Sequence, residues 1–298
     1  MQKPVRGTQT LVDQMSWVWS HASLTAIEVG WRWLFGIPFL FLLARELRLI
    51  FHELPPVQFG LYSLDPTNPW QIARQVGEAW RAYLPLISAH AAWFLPVAAL
   101  SWILLSALGR SLMLKRMEPG RKWRPFAFFI LQASQFAFFA AVFYSWWRMM
   151  GAIAAANLYL EGEPNLVGYL ISAVLLTLTT YVAWALISWP VLVAPVLLHM
   201  EGLSPWAAIT RSFRLGRGFT GKLVEINLVM GIVRLALIVL ASVLSAAPLP
   251  FGEQLGNSSL KTITVLAVLF NFVGNDYFQA VRLKSFVEFW RTFRNAQS

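Results

Sequence analysis

Two charged residues of this sequence lie inside apolar stretches, Arg234 within 223–247 and Asp276 within 262–281. An Arg or Asp at the centre of a membrane-spanning helix costs about 2.5 to 3.5 kcal/mol, so such residues usually pair or line a polar pathway. If the two stretches are antiparallel helices, the two residues differ in depth by about six residues, or ~9 Å, a gap that a long Arg side chain can reduce. The sequence predicts an Arg234–Asp276 ion pair, which either fixes helix register or marks a polar site.

A second candidate pair lies near the N-terminus, where Glu28 precedes Arg32 by one helical turn. An acidic residue four positions before a basic one is the favourable order on a helix. We expect the two side chains to neutralise each other near the cytoplasmic boundary of the membrane.

A group of basic residues surrounds the glycine motif Gly-Arg-Gly-Phe-Thr-Gly at 216–221. A dinucleotide site would need a strand before this motif and a βαβ unit around it, and neither is predicted here. The glycines are expected to end one helix and let the chain turn. Phosphate or lipid headgroups could meet the exposed N–H groups, although basic residues in such places often only set membrane orientation. The candidate headgroup contacts are Arg211, Arg214, Arg217 and Lys222.

Residues that would indicate catalysis or metal binding do not form recognisable patterns. The four histidines have no metal-ligand spacing, and the chain has no Cys, so thiolate chemistry and Cys-based metal sites are excluded. The sequence also contains no G-x-S-x-G elbow and no phosphate-binding P-loop. We therefore predict no catalytic residue, no cofactor and no metal, and expect that the protein is not an enzyme.

The composition is that of an integral membrane protein, with 57% hydrophobic and only 13% charged residues. Soluble domains carry about 25% charged residues. The net charge of +10 is explained first by basic loops on the cytoplasmic side of a membrane, so no nucleic-acid partner is expected.

The predicted fold is all-α, a polytopic membrane protein with about six transmembrane helices and additional amphipathic interfacial helices. We expect a single integral membrane domain over residues 1–298. Pro190 and Pro195 should kink the fourth span. The first span carries Glu28 and Arg32, so it either crosses the membrane or forms a re-entrant segment. The six spans are predicted at residues 22–44, 83–108, 126–147, 167–198, 223–247 and 262–281.

Counting Lys and Arg predicts the orientation. With both termini cytoplasmic, sixteen of the 24 basic residues fall in cytoplasmic segments, as the positive-inside rule favours. In the alternative topology with five spans, the N-terminus lies outside, and the excess of Lys and Arg in cytoplasmic segments is smaller. No cleavable signal peptide is evident at the N-terminus.

Three segments have the aromatic and basic pattern of helices that lie in the membrane interface, namely 70–81, 206–213 and 286–294. The alternative is that their apolar faces pack against neighbouring spans. The first two begin with Asn68-Pro69 and Ser204-Pro205, which are typical helix starts and hint at an internal repeat.

Ten residues of the segment 202–219 follow a spaced pattern: Gly202, Ser204, Ala208, Ile209, Arg211, Ser212, Phe213, Leu215, Arg217 and Gly218. With this pattern the segment resembles a recurring element of uncharacterised bacterial membrane proteins, similar to the membrane domains fused to some glycerophosphodiester phosphodiesterases. In that group an amphipathic cytoplasmic helix precedes a span, and Phe219 comes one position earlier here than the aromatic of the pattern. The resemblance implies a bacterial inner-membrane protein with six helices and no catalysis, since the phosphodiesterase site lies in a soluble barrel.

These observations favour a non-enzymatic membrane scaffold or lipid-associated accessory protein in the bacterial inner membrane. Its expected partners are the lipid bilayer, anionic lipid headgroups and another membrane protein. The alternatives are a small transporter or permease subunit with a polar site at Arg234 and Asp276, and a lipid-modifying enzyme.

Overall fold

The computed structural model describes residues 7–60, 68–158, 165–215, 217–246 and 257–295. Within these ranges the protein is 93% helical and has no strand, which confirms the all-α class. A short 3-10 helix, Pro56–Phe59, follows α2. The α-helices are α1 (Gly7–Ser20), α2 (Ala22–Glu53), α3 (Pro69–Met117), α4 (Pro125–Leu158), α5 (Leu166–Glu201), α6 (Pro205–Phe213), α7 (Arg217–Ala246) and α8 (Asn257–Asn295).

Local sequence sets several helix ends. The side chain of Asn68 accepts the N–H of Gln71 at 3.1 Å, and Ser204 accepts the N–H of Ala207 at 3.3 Å. Both predicted start signals are thus confirmed as N-caps. Helix α5 ends at Gly202, whose φ of 69° lies in the left-handed region that glycine adopts without strain.

Four helical segments of the described chain are long and apolar enough to cross a membrane: Arg74–Met117, Pro125–Leu158, Leu166–Trp184 and Leu223–Val243. They correspond to the second through fifth predicted spans. A shorter apolar stretch, Pro190–Glu201, completes α5, which is one helix through both of its prolines. The first and sixth predicted spans lie in the long helices α2 and α8, which carry charged side chains within them.

The chain divides into two compact units, one of Met1–Gly30 with Ala107–Ser298 and the other of Trp31–Ser106. In the first unit, the buried side chains come from the end of α3, the start of α4, the end of α5, the start of α7 and the end of α8, together with α1 and α6. We call this region the packed end. Its largest fully buried residues include Phe128, Leu131, Leu197, Leu198, Leu223 and Ile226.

The other halves of the same helices expose their apolar side chains. Within Leu166–Trp184 the most apolar window has 0% of its residues buried. We call these segments the exposed apolar halves, at residues 138–158, 166–184, 232–243 and 265–273. Examples are Phe143, Leu170, Leu175, Ile232, Leu235, Leu266 and Phe270.

A side chain from α4 compensates for a proline in α5. Pro195 has no N–H, so the carbonyl of Val191 one turn earlier loses its helical donor. The side-chain amide of Gln135 donates to that carbonyl at 2.7 Å. This interhelical hydrogen bond lets α5 continue through Pro195 to Glu201.

The second unit contains the C-terminal part of α2 and the N-terminal part of α3, which pack through aromatic rings. Phe35 lies edge-on to Trp102 with ring centroids 5.0 Å apart, and Phe39 contacts Phe94 at 5.4 Å. His90 Nδ1 lies 2.6 Å from Glu46 Oε2. His90 is thus half-buried and contacts a buried carboxylate of α2.

The three predicted interfacial segments differ in their surroundings. Segment 286–294 is the end of α8, and Phe286, Phe289 and Trp290 are buried in the packed end, so packing is the correct interpretation there. On α6, in contrast, Trp206 and Phe213 are exposed while Ala208 and Ser212 are buried. Segment 70–81 is the start of the long helix α3.

Candidate anion-binding cleft

A cleft of about 490 Å³ opens at the C-terminal end of α5 in the first unit. Three arginines line it from three different parts of the chain: Arg121 from the α3–α4 connection, Arg211 from α6 and Arg294 from α8. Glu201 adds one carboxylate, and Met200, Leu203 and Trp290 add apolar surface. We call this site the basic cleft.

The connection that carries Arg121 is held by side-chain contacts. Lys115 Nζ donates to the carbonyl of Pro119 at 2.6 Å and to that of Arg121 at 2.7 Å. Trp123 Nε1 donates to Ser111 Oγ at 3.2 Å. These bonds fix the backbone beside the cleft before any ligand arrives.

The end of α5 is held in a similar way. The guanidinium of Arg124 donates to the carbonyl of Gly202 and, at 3.4 Å, to that of Leu203. A cation at this position also complements the partial negative charge at the C-terminus of a helix. Because Glu201 directly precedes Gly202, this contact positions the carboxylate of the cleft.

Only part of the cationic capacity of the basic cleft is used by carboxylates of the described residues. Arg211 Nε lies 3.0 Å from Glu201 Oε2, and this contact leaves the two terminal nitrogens of Arg211 available. Arg121 and Arg294 are both exposed, and neither forms an ion pair within the described chain. Guanidinium groups arranged in this way suit an anion with several oxygens.

Charged residues next to the cleft neutralise one another. Arg291 on α8 pairs with Glu118 at the end of α3, and this hydrogen bond raises the pKa of Arg291. Lys284 Nζ lies 3.7 Å from Glu288 Oε2 and 4.3 Å from the ring centroid of Trp17. Burial lowers the pKa of Lys284, and the charge of Glu288 opposes this shift.

His199 directly precedes Met200 of the cleft and is buried against the ring of Phe128. Its Nε2 is enclosed and has no hydrogen-bond partner within the described structure. Burial lowers the pKa of His199 from its ordinary value of 6.5, while the nearby Glu118 acts in the opposite direction. The imidazole therefore favours its neutral form.

The predicted headgroup contacts fall in different places. Arg211 lines the basic cleft, whereas Arg214 caps α6 and is exposed. Arg217 and Lys222 belong to the first turns of α7, and their side chains lie outside the described part of the structure, as does Gly216 of the glycine motif. Gly218 and Gly221 are within α7, and the helix α6 comes before the motif, so its surroundings are not those of a dinucleotide site.

Arg234 and Asp276 lie on α7 and α8, which pack along each other. The segment 247–256 is too short to carry the chain back along α7, so the helices are antiparallel. A Cβ added at Gly274 would lie 3.4 Å from Leu237 Cδ2. This register places Arg234 within about one helical turn of the level of Asp276, closer than the sequence-based depth suggests. Asp276 is 3% exposed, and the ion pair itself stays a prediction.

Glu28 is buried and lines a narrow pocket with Arg110, Gln279 and Arg282 in the first unit. Arg32 belongs to the second unit, where its guanidinium carbon lies 5.3 Å from the ring centroid of Trp31. The Glu28–Arg32 pair stays a prediction.

No group of three potential metal ligands is present among the described residues. His21 stacks on Trp17, His90 contacts Glu46 and His199 is buried near Glu118.

Sequence reasoning did not anticipate Glu201 and Trp290 as part of the cleft. Glu201 lies ten positions before Arg211 and directly before the Gly202 helix end, which is the signal that could have identified it. Trp290 has no such local signal, because it reaches the cleft only through the packing of α8.

Comparison with protein-family models, with curated proteins and with solved structures finds no match for this chain.

Proposed function

We propose that this protein is a non-enzymatic membrane scaffold or lipid-associated accessory protein that binds anionic headgroups in its basic cleft. The observation that carries the proposal is the convergence of Arg121, Arg211 and Arg294 around one open cleft, with a single carboxylate among them. Arginine recognises phosphate through paired N–H donors, so a headgroup phosphate fits this surface.

The membrane arrangement belongs to the same proposal. Besides the four long apolar segments, α2 exposes Leu34 and Phe41, and α8 exposes Leu266 and Phe270. Exposed apolar rows on helices of this length favour lipid contact and support six crossings. The basic residues near the cleft then favour a cytoplasmic location for it and for both termini, in a bacterial inner membrane.

Helix α6 supports a cleft at the depth of the headgroups. Trp206 is 65% exposed and Phe213 is 56% exposed on this short helix, while Arg211 of the same helix lines the cleft. Aromatic side chains beside arginine are typical of the boundary between headgroups and acyl chains.

The test is native mass spectrometry of the purified protein in a mild detergent, with bound lipids identified. We expect the triple variant Arg121→Ala, Arg211→Ala and Arg294→Ala to lose the anionic lipid that the wild type retains. The control replaces three exposed arginines outside the cleft by alanine: Arg45, Arg48 and Arg148. Retention in the cleft variant, or equal loss in both variants, would contradict the proposal.

A second candidate function, a small transporter or permease subunit, is favoured by the nearly complete burial of Asp276. Buried carboxylates inside membrane helices often line polar pathways. Because the chain has no cysteine, a single introduced thiol can report water access.

In the permease interpretation, Asn275→Cys reacts with a water-soluble maleimide in membrane vesicles. Val265→Cys on the exposed apolar face of α8 serves as the control and stays unlabelled. Failure of Asn275→Cys to react would remove the evidence for a water-filled pathway at Asp276.

A further inference from the structure

The net charge of the basic cleft limits which anions it can neutralise. Arg121, Arg211 and Arg294 contribute three positive charges and Glu201 one negative charge, which gives the cleft a net charge of +2. The nearby side chains of Glu118, Arg291, Glu288 and Lys284 neutralise one another. Arg124 and Lys115, which donate to backbone carbonyls at the edge of the cleft, add to its positive potential. We infer that the cleft selects a dianionic phosphate monoester over a monoanionic phosphate diester, an inference that rests on the proposed function.

The donor arrangement agrees with this charge. A phosphate monoester has three terminal oxygens, whereas a diester has two. The cleft offers three guanidinium groups, and the contact with Glu201 uses only Nε of Arg211. That contact orients Arg211 and leaves its terminal nitrogens for the ligand, so three oxygens can each meet a charged donor.

The rest of the cleft suits the carbon-containing part of such a ligand. At about 490 Å³ the volume falls in the range of small-molecule sites, which is roughly 300 to 1,000 Å³. Met200, Leu203 and Trp290 provide apolar contacts beside the arginines. The ligand class is therefore an organic phosphate monoester, supplied either by a lipid headgroup or by a soluble molecule.

The experiment measures binding of three probes to the full chain in mild detergent. The lipid probes are phosphatidic acid, a monoester, and phosphatidylglycerol, a diester, with identical acyl chains. The soluble probe is glycerol 3-phosphate. At pH 7.5 we expect phosphatidic acid to bind at least about tenfold more tightly than phosphatidylglycerol, because one further charge-assisted contact forms.

A sharper test compares the preference for phosphatidic acid at pH 7.5 and at pH 5.5. The second ionisation of a phosphate monoester lies near pH ~6, so at pH 5.5 the preference for phosphatidic acid should shrink several-fold. Protonation of His199, Glu201, Glu118 or Glu288 would make the protein more positive and strengthen anion binding. A loss of affinity on acidification therefore reports the charge of the ligand.

The outcomes separate the two claims. Equal affinity for both lipids, with both sensitive to the triple arginine variant, would overturn the monoester inference and leave headgroup binding intact. Binding that is insensitive to the arginine variant would overturn both. If glycerol 3-phosphate binds as tightly as phosphatidic acid and displaces it, the ligand is assigned as a soluble molecule. Much weaker binding of glycerol 3-phosphate, with phosphatidic acid retained, assigns the lipid.

Discussion

The two halves of α5 are surrounded by different environments. In the first half Leu175 is 58% exposed, whereas in the second half Leu198 is 0% exposed, although both are leucines on one helix. Leu197 and Leu198 of the second half belong to one buried cluster with residues of α4, α6 and α8. The protein thus builds its own close-packed core at the packed end, whereas the exposed apolar halves have no comparable cover from the described residues.

The largest expected effect comes from truncating the buried member of this pair of leucines. Leu198→Ala should lower the free energy of unfolding by about 2–5 kcal/mol, because it opens a cavity in a dense core. Leu175→Ala, the control on the same helix, should change it by less than about 0.5 kcal/mol. Titration with SDS in mixed micelles measures both, and equal effects would abolish the distinction between the two halves.

A smaller effect is expected where the two halves of α5 join. Gln135→Leu leaves the Val191 carbonyl without its hydrogen-bond donor. It should lower the free energy of unfolding by about 1–3 kcal/mol. In a Pro195→Ala background the helix supplies its own N–H, so the same substitution should cost much less. The double-mutant cycle measures this coupling, and additive effects would show that the hydrogen bond contributes nothing.

The next prediction concerns Gly202, which ends α5 at the packed end. Its φ of 69° is costly for residues with a Cβ, so Gly202→Ala should destabilise the protein by about 1 kcal/mol. The matched control Gly221→Ala lies within α7 with open space around it, and it should stabilise by about 0.5–1 kcal/mol. The same SDS titration measures both variants. Stabilisation by Gly202→Ala, or destabilisation by Gly221→Ala, would contradict the prediction.

The smallest effect concerns pH. Because the pKa of His199 is lowered from 6.5 in the folded protein, the unfolded chain binds a proton first as the pH decreases. Stability should therefore fall below about pH 6.5, down to the lowered pKa. His199→Gln should reduce the loss in Tm between pH 7.5 and 5.5, and identical losses in both proteins would exclude His199 as the cause.

The sequence predicted the helical class and four of the long apolar segments because those properties depend on local composition. It also identified Ser204 and Asn68 as helix starts, since capping involves neighbours three residues away. Burial of Trp290 and Phe286 could not be predicted in this way. Their aromatic and basic neighbours suit a membrane interface equally well, and only the packing of α8 against distant helices distinguishes the two environments.

In the candidate site, too, features set by neighbouring residues were predictable and features set by distant packing were not. Arg211 was identifiable because it lies on an amphipathic helix, but its grouping with Arg121 and Arg294 depends on contacts among three separate parts of the chain. Helix α1 was not anticipated, because its mixed polar sequence buries only a few residues such as Leu11 and Val18.

The contact between α1 and α8 has a consequence for biosynthesis. The hydroxyl of Tyr277 donates to the carbonyl of Met15 at 2.8 Å, across a separation of 262 residues. At a translation rate of about 5–20 residues per second, the partner of α1 emerges roughly 13 to 50 s after α1 itself. During that interval Leu11 and Val18 have no α8 to cover them, so α1 cannot reach its packed state until the last helix of the chain has been synthesised.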